Sequence, residues 1–245
     1  MSKFFITGCF ENGDEIKLDG PNSHHVRHVL RMKTGQELTV CDGRGFDYLC
    51  SLSRFDDDSV FVSVNSKLKT PAEPTVLVSL FVAMPKSDKL ETVIQKAVEL
   101  GVYEITPFFS SRCVSRPDDR AQARKTERFR KISEEAAKQS GRGIIPNIHE
   151  PVGFDDMLKK ATEHDLSLMA YEGERNVSLL NALQNKGNFL RVSAVIGSEG
   201  GFTSGEAEAA NASGLITVSL GPRIMRCETA PIAMLSAIMF FTGNF

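Results

Sequence analysis

The residue types best suited to chemistry lie in the short segment Leu220–Ala230, which contains Arg223, Arg226 and Glu228. Arginine can bind an anion or stabilise developing negative charge, and a carboxylate can accept a proton or orient a cation. This segment follows a short apolar run, and the glycine-rich segment Ile196–Phe202 follows another. Because glycine lets backbone amides approach a ligand closely, the two turns together predict a small-molecule site with chemistry beside it.

The glycine-rich segment matches neither of two common phosphate-binding patterns. Gly197–Gly201 lacks the G-x-G-x-x-G spacing of a dinucleotide site, and no G-K-[ST] follows it, so a nucleoside triphosphate site is not predicted. The alternative is that both turns are ordinary strand-to-helix connections in which glycine serves geometry alone.

Composition and charge indicate a soluble, cytoplasmic protein. The chain has 245 residues and a formal net charge of −2, which argues against a generally basic nucleic-acid coating. Its five cysteines are scattered without metal-ligand or redox spacing, as is typical of reduced thiols in a cytosol. The N-terminus lacks the apolar region of a signal peptide, and the longest apolar run, Ala230–Phe241, is too short to span a bilayer.

Two domains are predicted, the first over residues 1–70. Runs of β-forming residues at Glu37–Cys41, Phe46–Cys50 and Val60–Val64 predict strands of a small barrel with one short helix. The proline-containing stretch Lys67–Pro74 is the best candidate for a linker.

The second domain, residues 75–245, alternates strands with helices, which predicts an α/β fold with a mostly parallel sheet. The predicted strands are Val76–Ala83, Glu104–Phe109, Leu166–Tyr171, Ser193–Gly197 and Leu215–Leu220. The predicted helices are Asp88–Leu100, Pro117–Ser140, Ser178–Asn185, Ser204–Ala212 and a very apolar final helix.

A local excess of positive charge lies within Arg112–Arg142, which holds ten lysines and arginines and five acidic residues. Arg120, Arg124 and Arg128 are spaced four residues apart and share one helix face. The face is either a contact surface for nucleic-acid phosphates or a merely solvated surface, and the sequence leaves both open.

Three histidines occur together at His24, His25 and His28. They lack a carboxylate or thiolate partner at fixed spacing, so no metal site is predicted. Helical spacing of His25, Val29 and Met32 predicts instead a half-buried helix with a basic rim formed by Arg27, Arg31 and Lys33. Cys227 has an arginine beside it, which can lower a thiol pKa, but no histidine is near in sequence and a packed thiol is favoured.

Five motifs occur in an order that resembles one known family. They are His24–Gly35, Lys96–Pro107, Glu135–Pro146, Ile196–Gly201 and Leu220–Ala230. Together they are similar to the RsmE family of 16S ribosomal RNA uridine-N3 methyltransferases, within the SPOUT superfamily. The resemblance implies a PUA-like RNA-binding barrel followed by an α/β domain with a deep trefoil knot. It also implies S-adenosylmethionine as methyl donor, the small ribosomal subunit as substrate, and a homodimer with the final helix in its interface.

The resemblance also assigns residues to roles. Backbone and side chains expected at the cofactor are Ala170, Tyr171, Glu172, Ile196, Gly197, Glu199, Gly200, Gly201, Leu220, Gly221, Ile224, Met225 and Arg226. Residues expected at the RNA are Lys3, His25, Arg27, Arg31, Arg120, Arg124, Arg128 and Arg142. Three departures from the family pattern are Ser198, where the family usually has proline, Cys227, where it usually has threonine, and Lys3, where the family commonly carries an arginine near the N-terminus.

Methylation of uracil N3 requires removal of its proton, which leaves negative charge on the ring oxygens. Arg226 is expected to stabilise that charge, and Arg223 is expected to orient the substrate or to bind RNA phosphate. Glu228 or Glu199 can act as the base; equally, Glu228 can orient Arg226 or interact with the positive end of the final helix. Two other functions stay open: a non-catalytic RNA-binding or ribosome-assembly factor with the same fold, and a SPOUT methyltransferase acting on another RNA.

Overall fold

In a computed structural model, which describes residues 3–6, 8–86, 88–113 and 118–245, the chain forms two compact units. The first consists of the described residues of Met1–Glu73 together with Ala137–Ile145, and the second of those in Pro74–Ala136 and Pro146–Phe245. Residues 137–145, which the sequence places in the second domain, therefore pack with the first unit. Contacts of this segment include a buried ion pair between Arg142 and Glu73 and a hydrogen bond from the Gly45 amide to the Gly143 carbonyl.

The first unit is built on a five-stranded sheet in the order β1-β3-β4-β5-β2. Its strands are β1 (Lys3–Phe5), β2 (Glu15–Leu18), β3 (Glu37–Cys41), β4 (Phe46–Phe55) and β5 (Val60–Lys69). β1 pairs with β3 in parallel, and the other pairs are antiparallel. Alternate residues along the strands face one apolar core that includes Leu38, Leu52 and Val62, as the two-residue period of a strand requires.

The three strands predicted for this unit are confirmed, and two details of the prediction are wrong. β5 continues to Lys69, so the first part of the proposed linker is strand. The histidine segment forms α1 (Gly20–His24) and a π-helical turn over His25–Val29. The π-turn shifts the buried face, so that Val26 is buried while Val29 is 59% exposed.

The second unit contains a seven-stranded sheet in which every recorded pair is parallel. Its strands are β6 (Leu77–Ala83), β7 (Glu104–Phe109), β8 (Asn147–Ile148), β9 (Val152–Gly153), β10 (Leu166–Ala170), β11 (Arg191–Ile196) and β12 (Ile216–Val218). The order is β12-β10-β11-β6-β7-β8, and β9 also pairs with β7. The central strands are nearly continuous apolar runs because helices cover both faces of the sheet.

The remaining helices of the chain are α2 (Lys89–Glu99), α3 (Asp119–Ser140), α4 (Phe154–Ala161), α5 (Leu179–Lys186), α6 (Ser204–Ala212) and α7 (Ala230–Phe241). α2 buries one stripe that includes Leu90, Ile94 and Val98. Gly101, which follows the C-terminal cap of this helix, has a φ of 92°, which suits a glycine. α6 begins with a capping box between Thr203 and Glu206.

The predicted α/β organisation with a parallel sheet is confirmed. The short strands β8 and β9 were not predicted, because two-residue strands carry no periodic signal, and the eight-residue helix α4 was also missed. The predicted start of α3 at Pro117 lies outside the described residues.

The final helix has a buried face and an exposed end. Met234, Leu235, Ile238 and Met239 are buried within the same chain, whereas Phe240 at the end of the helix is 78% exposed. Among the residues that the structure describes, none of the helices combines the length and the apolar character needed to cross a bilayer.

Candidate functional site

The site lies where three neighbouring parallel strands end. β10, β11 and β12 end at Ala170, Ile196 and Val218, and because the strands are parallel, their carboxyl ends share one edge of the sheet. The turns that follow them enclose a cavity of about 380 Å³. In open α/β sheets, this edge is where ligands usually bind.

The structure brings the predicted cofactor residues together around this cavity. All thirteen line it, and Arg223 lines it as well. Glu228 does not line the cavity but contacts Lys89, which does. The sequence analysis did not identify Lys89 or Arg175, although both lie in segments that follow strands ending at this edge.

The first turn is shaped by its glycines. Gly201 has a φ of 63° and donates its amide to the carbonyl of Ser198 at 2.9 Å. A Cβ on Gly201 would collide with the carboxylate of Glu172. A Cβ on Gly197 would come within 3.2 Å of the Gly201 backbone, so a side chain at either position would require its neighbours to move.

Arg112, which follows β7, stabilises the outer side of the same turn. Its guanidinium donates to the carbonyl of Gly200 at 2.6 Å and lies 3.8 Å from the carboxylate of Glu172. Three strand ends therefore contribute to the conformation of one glycine-rich turn.

The second turn exposes cationic and apolar side chains. Gly221, with a φ of 113°, donates its amide to the hydroxyl of Ser219 at 3.2 Å. The carbonyl of Arg226 accepts the amides of Thr229 and Ala230, which fixes the entry into α7. The side chains of Arg223 and Arg226 are exposed, and among the described residues the structure records no carboxylate paired with either. Both guanidinium groups are thus available to an anionic ligand.

Lys89, the first residue of α2, links the two turns. Its ammonium group lies 3.0 Å from the Glu199 carboxylate and 3.5 Å from the Glu228 carboxylate. Glu199 also accepts the backbone amide of Lys86 at 3.2 Å. Hydrogen bonding to Glu199 raises the pKa of Lys89 above its ordinary value. The cluster is therefore one ammonium shared by two carboxylates.

Both carboxylates are stabilised in the ionised form. Burial alone would raise the pKa of Glu199, but hydrogen bonds from Lys89 and from backbone amides outweigh it and the pKa lies below its ordinary value. The pKa of Glu228 is lowered by its own backbone amide and by the Cys227 thiol. A carboxylate with a lowered pKa is a weaker proton acceptor, which bears on the choice of a base.

Cys227 is a packed, unreactive thiol. Burial, followed by the hydrogen bond to Glu228, raises its pKa to about 12. Its sulfur donates to the Glu228 carboxylate at 3.3 Å, so the thiol stays protonated at neutral pH. The arginine beside it in sequence does not lower its pKa.

Ser198, another departure from the family pattern, lines the cavity with a hydroxyl that is buried and has no hydrogen-bond partner in the structure. A proline at this position would carry no hydroxyl, so Ser198 adds one hydrogen-bonding group to the lining of the cavity.

Two residues predicted to bind RNA are buried in ion pairs of the first unit. Lys3, 11% exposed, lies 2.9 Å from Asp47. Arg142, 3% exposed, forms two hydrogen bonds with Glu73 at 2.9 and 2.8 Å. Neither cation can reach a phosphate without breaking a buried pair, which is energetically costly.

The other first-unit residues predicted to bind RNA are more accessible. His25 and Arg31 are exposed, and Arg31 has an unusual positive φ of 51°. Arg27 is half-buried. Its guanidinium donates to the backbone carbonyls of Asp56 and Ser59, which restricts the side chain.

Arg120, Arg124 and Arg128 are all exposed on α3, as their spacing predicts. Arg128 also pairs with Glu91 at 2.7 Å, so its guanidinium is less free to meet a ligand than those of Arg120 and Arg124. Within the described ranges, the structure shows no group of three or more histidine, cysteine or acidic side chains arranged to hold a metal ion.

Comparison with known proteins matches both units to families. An RNA methyltransferase domain matches residues 72–239, and an RNA methyltransferase PUA domain matches residues 18–65. The chain is 35% identical to the ribosomal RNA small subunit methyltransferase E of Bacillus subtilis, with 99% of this chain and 97% of that protein covered. It is 30% identical to the protein of that name from Buchnera aphidicola, with 100% and 98% covered.

Two solved structures with bound S-adenosylmethionine are similar over the whole chain. One is a methyltransferase from Legionella pneumophila, with a TM-score of 0.82, 31% identity, and 98% of this chain and 97% of that chain covered. The other is a ribosomal RNA small subunit methyltransferase E from Neisseria gonorrhoeae, with a TM-score of 0.85, 27% identity and 98% of each chain covered. With its PUA-like first unit and its parallel-sheet second unit, this chain belongs to the ribosomal RNA small subunit methyltransferase E family of RNA methyltransferases.

Proposed function

We propose that this protein transfers a methyl group from S-adenosylmethionine to the N3 atom of a uridine in small-subunit ribosomal RNA. The observation that carries the proposal is the cavity at the carboxyl edge of β10, β11 and β12, which is lined by every residue predicted for the cofactor. Membership in the family and the two relatives with bound S-adenosylmethionine support it. The substrate also makes the cytoplasm the expected location.

The residues present fit S-adenosylmethionine. The cavity volume lies in the usual range for a small-molecule site. Gly197 and Gly201 keep side chains out of a cradle in which backbone groups can meet an adenine base or the amino-acid end of the cofactor. Glu172 and Glu199 place negative charge beside the cavity, which suits a cationic sulfonium and ammonium. When bound, the cofactor supplies an electrophilic methyl group.

The chain itself must hold the uridine and stabilise its anion. Removal of the N3 proton puts negative charge on the ring oxygens, and a preorganised cation beside them lowers the barrier. Arg226 is exposed into the cavity and has no carboxylate partner among the described residues, so we assign it this role. Arg223, on the same turn, orients the nucleotide or binds its phosphate.

The lowered pKa values argue against either carboxylate as the base. Glu199 and Glu228 both have a lowered pKa and both pair with the Lys89 ammonium group, so they are weak proton acceptors. Charge stabilisation by Arg226 is therefore favoured over proton abstraction by these side chains. Since the target base is stacked or paired in folded RNA, it must be extruded to reach the cavity.

We assign RNA contact to accessible cations of each unit. In the first unit these are His25, Arg31 and, with its restricted side chain, Arg27. In the second unit they are Arg120, Arg124 and Arg128 on α3. Such contacts fix the position of the RNA backbone and carry no base specificity.

We also propose a homodimer and a trefoil knot. The apolar side chains of Phe240 and Phe245, 78% and 76% exposed, lie at the end of the chain, where a second copy can cover them. Sedimentation analysis of Phe240→Asp tests this, since a monomeric variant is expected. The knot is inferred from family membership, with the turns after β11 and β12 as the segments that would form it.

The testing experiment is the transfer of labelled methyl from S-adenosylmethionine to small ribosomal subunits lacking the modification, followed by nucleoside mass spectrometry. We expect 3-methyluridine. Methylation of a different RNA would favour a SPOUT enzyme with another substrate. Cofactor binding without methylation of any RNA would leave the substrate assignment wrong, and no cofactor binding would favour a non-catalytic RNA-binding or assembly factor.

A further inference from the structure

The ammonium group of Lys89 contacts one carboxylate from each of the two turns that form the cavity. Glu199 belongs to the turn after β11, and Glu228 belongs to the turn that enters α7. Lys89 itself belongs to a third element, since it begins α2. The three side chains are 33%, 31% and 27% exposed, so the cluster is shielded from solvent more than a surface ion pair.

This arrangement determines which cation Glu228 binds. Glu228 lies two residues from Arg226 on the same turn, close enough in sequence for the two side chains to pair. Within the described part of the chain, the recorded ion pair of Glu228 is with Lys89, and Arg226 has none. A guanidinium bound to a carboxylate would offer fewer donors and less positive charge to a substrate.

We propose that Lys89 is a positioning residue, which binds Glu199 and Glu228 and thereby keeps the Arg226 guanidinium unpaired for the target base. The inference rests on the proposed function, in which Arg226 stabilises the uracil anion. It adds a role for a residue outside both turns. Without the ammonium group, the two carboxylates lose their shared cation, and Glu228 pairs with Arg226.

The first test compares Lys89→Met with Lys89→Arg, and with Lys96→Met as a matched control. Lys96 lies on the same helix. Among the described residues, its ion pair is with Glu99, one turn away on the same helix. We expect Lys89→Met to lower kcat roughly tenfold or more, up to about 100-fold, because misplacement of a catalytic group has effects of this size. Lys89→Arg keeps most of the activity, and Lys96→Met keeps all of it.

The second test is a rescue. If Lys89 acts by occupying Glu228, then Lys89→Met combined with Glu228→Gln recovers most of the kcat lost in Lys89→Met, because a neutral amide does not capture Arg226. A merely structural role of Lys89 predicts the opposite result: the double variant would be no more active than Lys89→Met and would have a lower Tm. That result would overturn the inference.

A readout that is independent of turnover separates this inference from the proposed function. Nitrogen-15 spectra of arginine side chains report guanidinium rotation, which slows when a guanidinium is paired. We expect the Arg226 signal, assigned with Arg226→Lys, to show slowed rotation in Lys89→Met and fast rotation again in the double variant. If the wild-type protein methylates no RNA, the proposed function is wrong. If the wild-type protein is active and Lys89→Met changes neither kcat nor the Arg226 signal, the inference about Lys89 is wrong.

Discussion

Arg142 and Glu73 form a buried two-point ion pair in the first unit, with nitrogen–oxygen distances of 2.9 and 2.8 Å. Glu73 accepts in addition the backbone amides of Gly143 and Ile144 at 2.7 and 3.0 Å. One carboxylate thus satisfies a guanidinium and two amides, and it attaches residues 137–145 to the sheet of the first unit.

Removal of the guanidinium is expected to destabilise the protein. Arg142→Ala leaves a buried carboxylate without its cation, and the free energy of unfolding should fall by about 3–5 kcal/mol. Urea denaturation monitored by circular dichroism measures this. Arg130→Ala is the control, because the Arg130–Glu150 pair is about half exposed and its loss should cost less than about 1 kcal/mol. Equal losses in the two variants would contradict the assignment.

Catalysis is expected to depend on Arg226. Arg226→Ala should lower kcat by about 10²–10³-fold at saturating cofactor, as expected for loss of one preorganised donor to developing charge. Methyl transfer to small ribosomal subunits measures kcat, and calorimetry measures the cofactor Kd separately. Arg226→Lys should retain part of the activity, because it keeps the charge but loses the planar donor geometry. Near-normal turnover in Arg226→Ala would remove Arg226 from the catalytic role.

The cofactor cradle is expected to reject a single methyl group. In Gly201→Ala, the side chain takes on a φ of 63°, which strains any residue other than glycine, and the new Cβ displaces the Glu172 carboxylate from the edge of the cavity. The Kd for S-adenosylmethionine should rise about tenfold, equivalent to roughly 1.4 kcal/mol. Gly205→Ala is the matched control, because a Cβ there meets open space at the start of α6. An unchanged Kd in Gly201→Ala would show that the first turn does not form the cradle.

The basic face of α3 is expected to bind RNA phosphates. Charge reversal at Arg120 and Arg124 should weaken RNA binding and reduce the slope of log K against log salt by about one per lost contact. Filter binding at several salt concentrations measures the slope. Reversal of the exposed residues Lys159 and Lys160 on α4 changes the net charge equally and serves as the control. If both double variants lower affinity by the same amount, the effect is one of net charge.

Acid is expected to destabilise the second unit through a partly buried hydrogen-bond network at the opposite edge of the sheet, in which Ser79 is buried and His149 is 35% exposed. Ser79 donates to Glu104 at 2.6 Å, and His149 and His164 bind Glu104 and Ser79, each at 2.8 Å. The His149 hydrogen bond is the main cause that lowers the pKa of Glu104 from 4.5 to about 2. Burial, followed by the charge of Arg191, lowers the pKa of His164 below 6.5.

Both groups bind protons more weakly in the folded state than in the unfolded state, so stability is full above pH 6.5 and is lost as the pH falls. The first loss of stability, from His164, begins below about pH 6.5. The second loss, from Glu104, runs from about pH 4.5 towards pH 2 and amounts to at most about 3 kcal/mol. Urea denaturation at several pH values checks this. His164→Gln should flatten the first step, and an unchanged profile would contradict the prediction.

Part of this structure could be predicted from sequence because the relevant signals are local. The apolar run of β6 and the stripe of α2 indicate a parallel sheet with covering helices, and the glycines of the two turns indicate a ligand site. The burial of Lys3 and the partner of Arg142 could not be predicted, since each depends on an acidic residue distant in sequence. Lys89 was missed for the same reason: its two carboxylates lie more than a hundred residues away.

The order in which the ribosome makes the chain constrains how this protein reaches its folded state. The first unit needs Arg142, but β6, α2 and β7 of the other unit are synthesised before that residue. A nascent chain cannot complete its N-terminal unit until residue 145 has left the exit tunnel, and by then two sheet strands of the second unit are already exposed. Proteolytic or engineered separation after Glu73 would likewise leave that carboxylate without its guanidinium, so the first unit is not an independently transferable module.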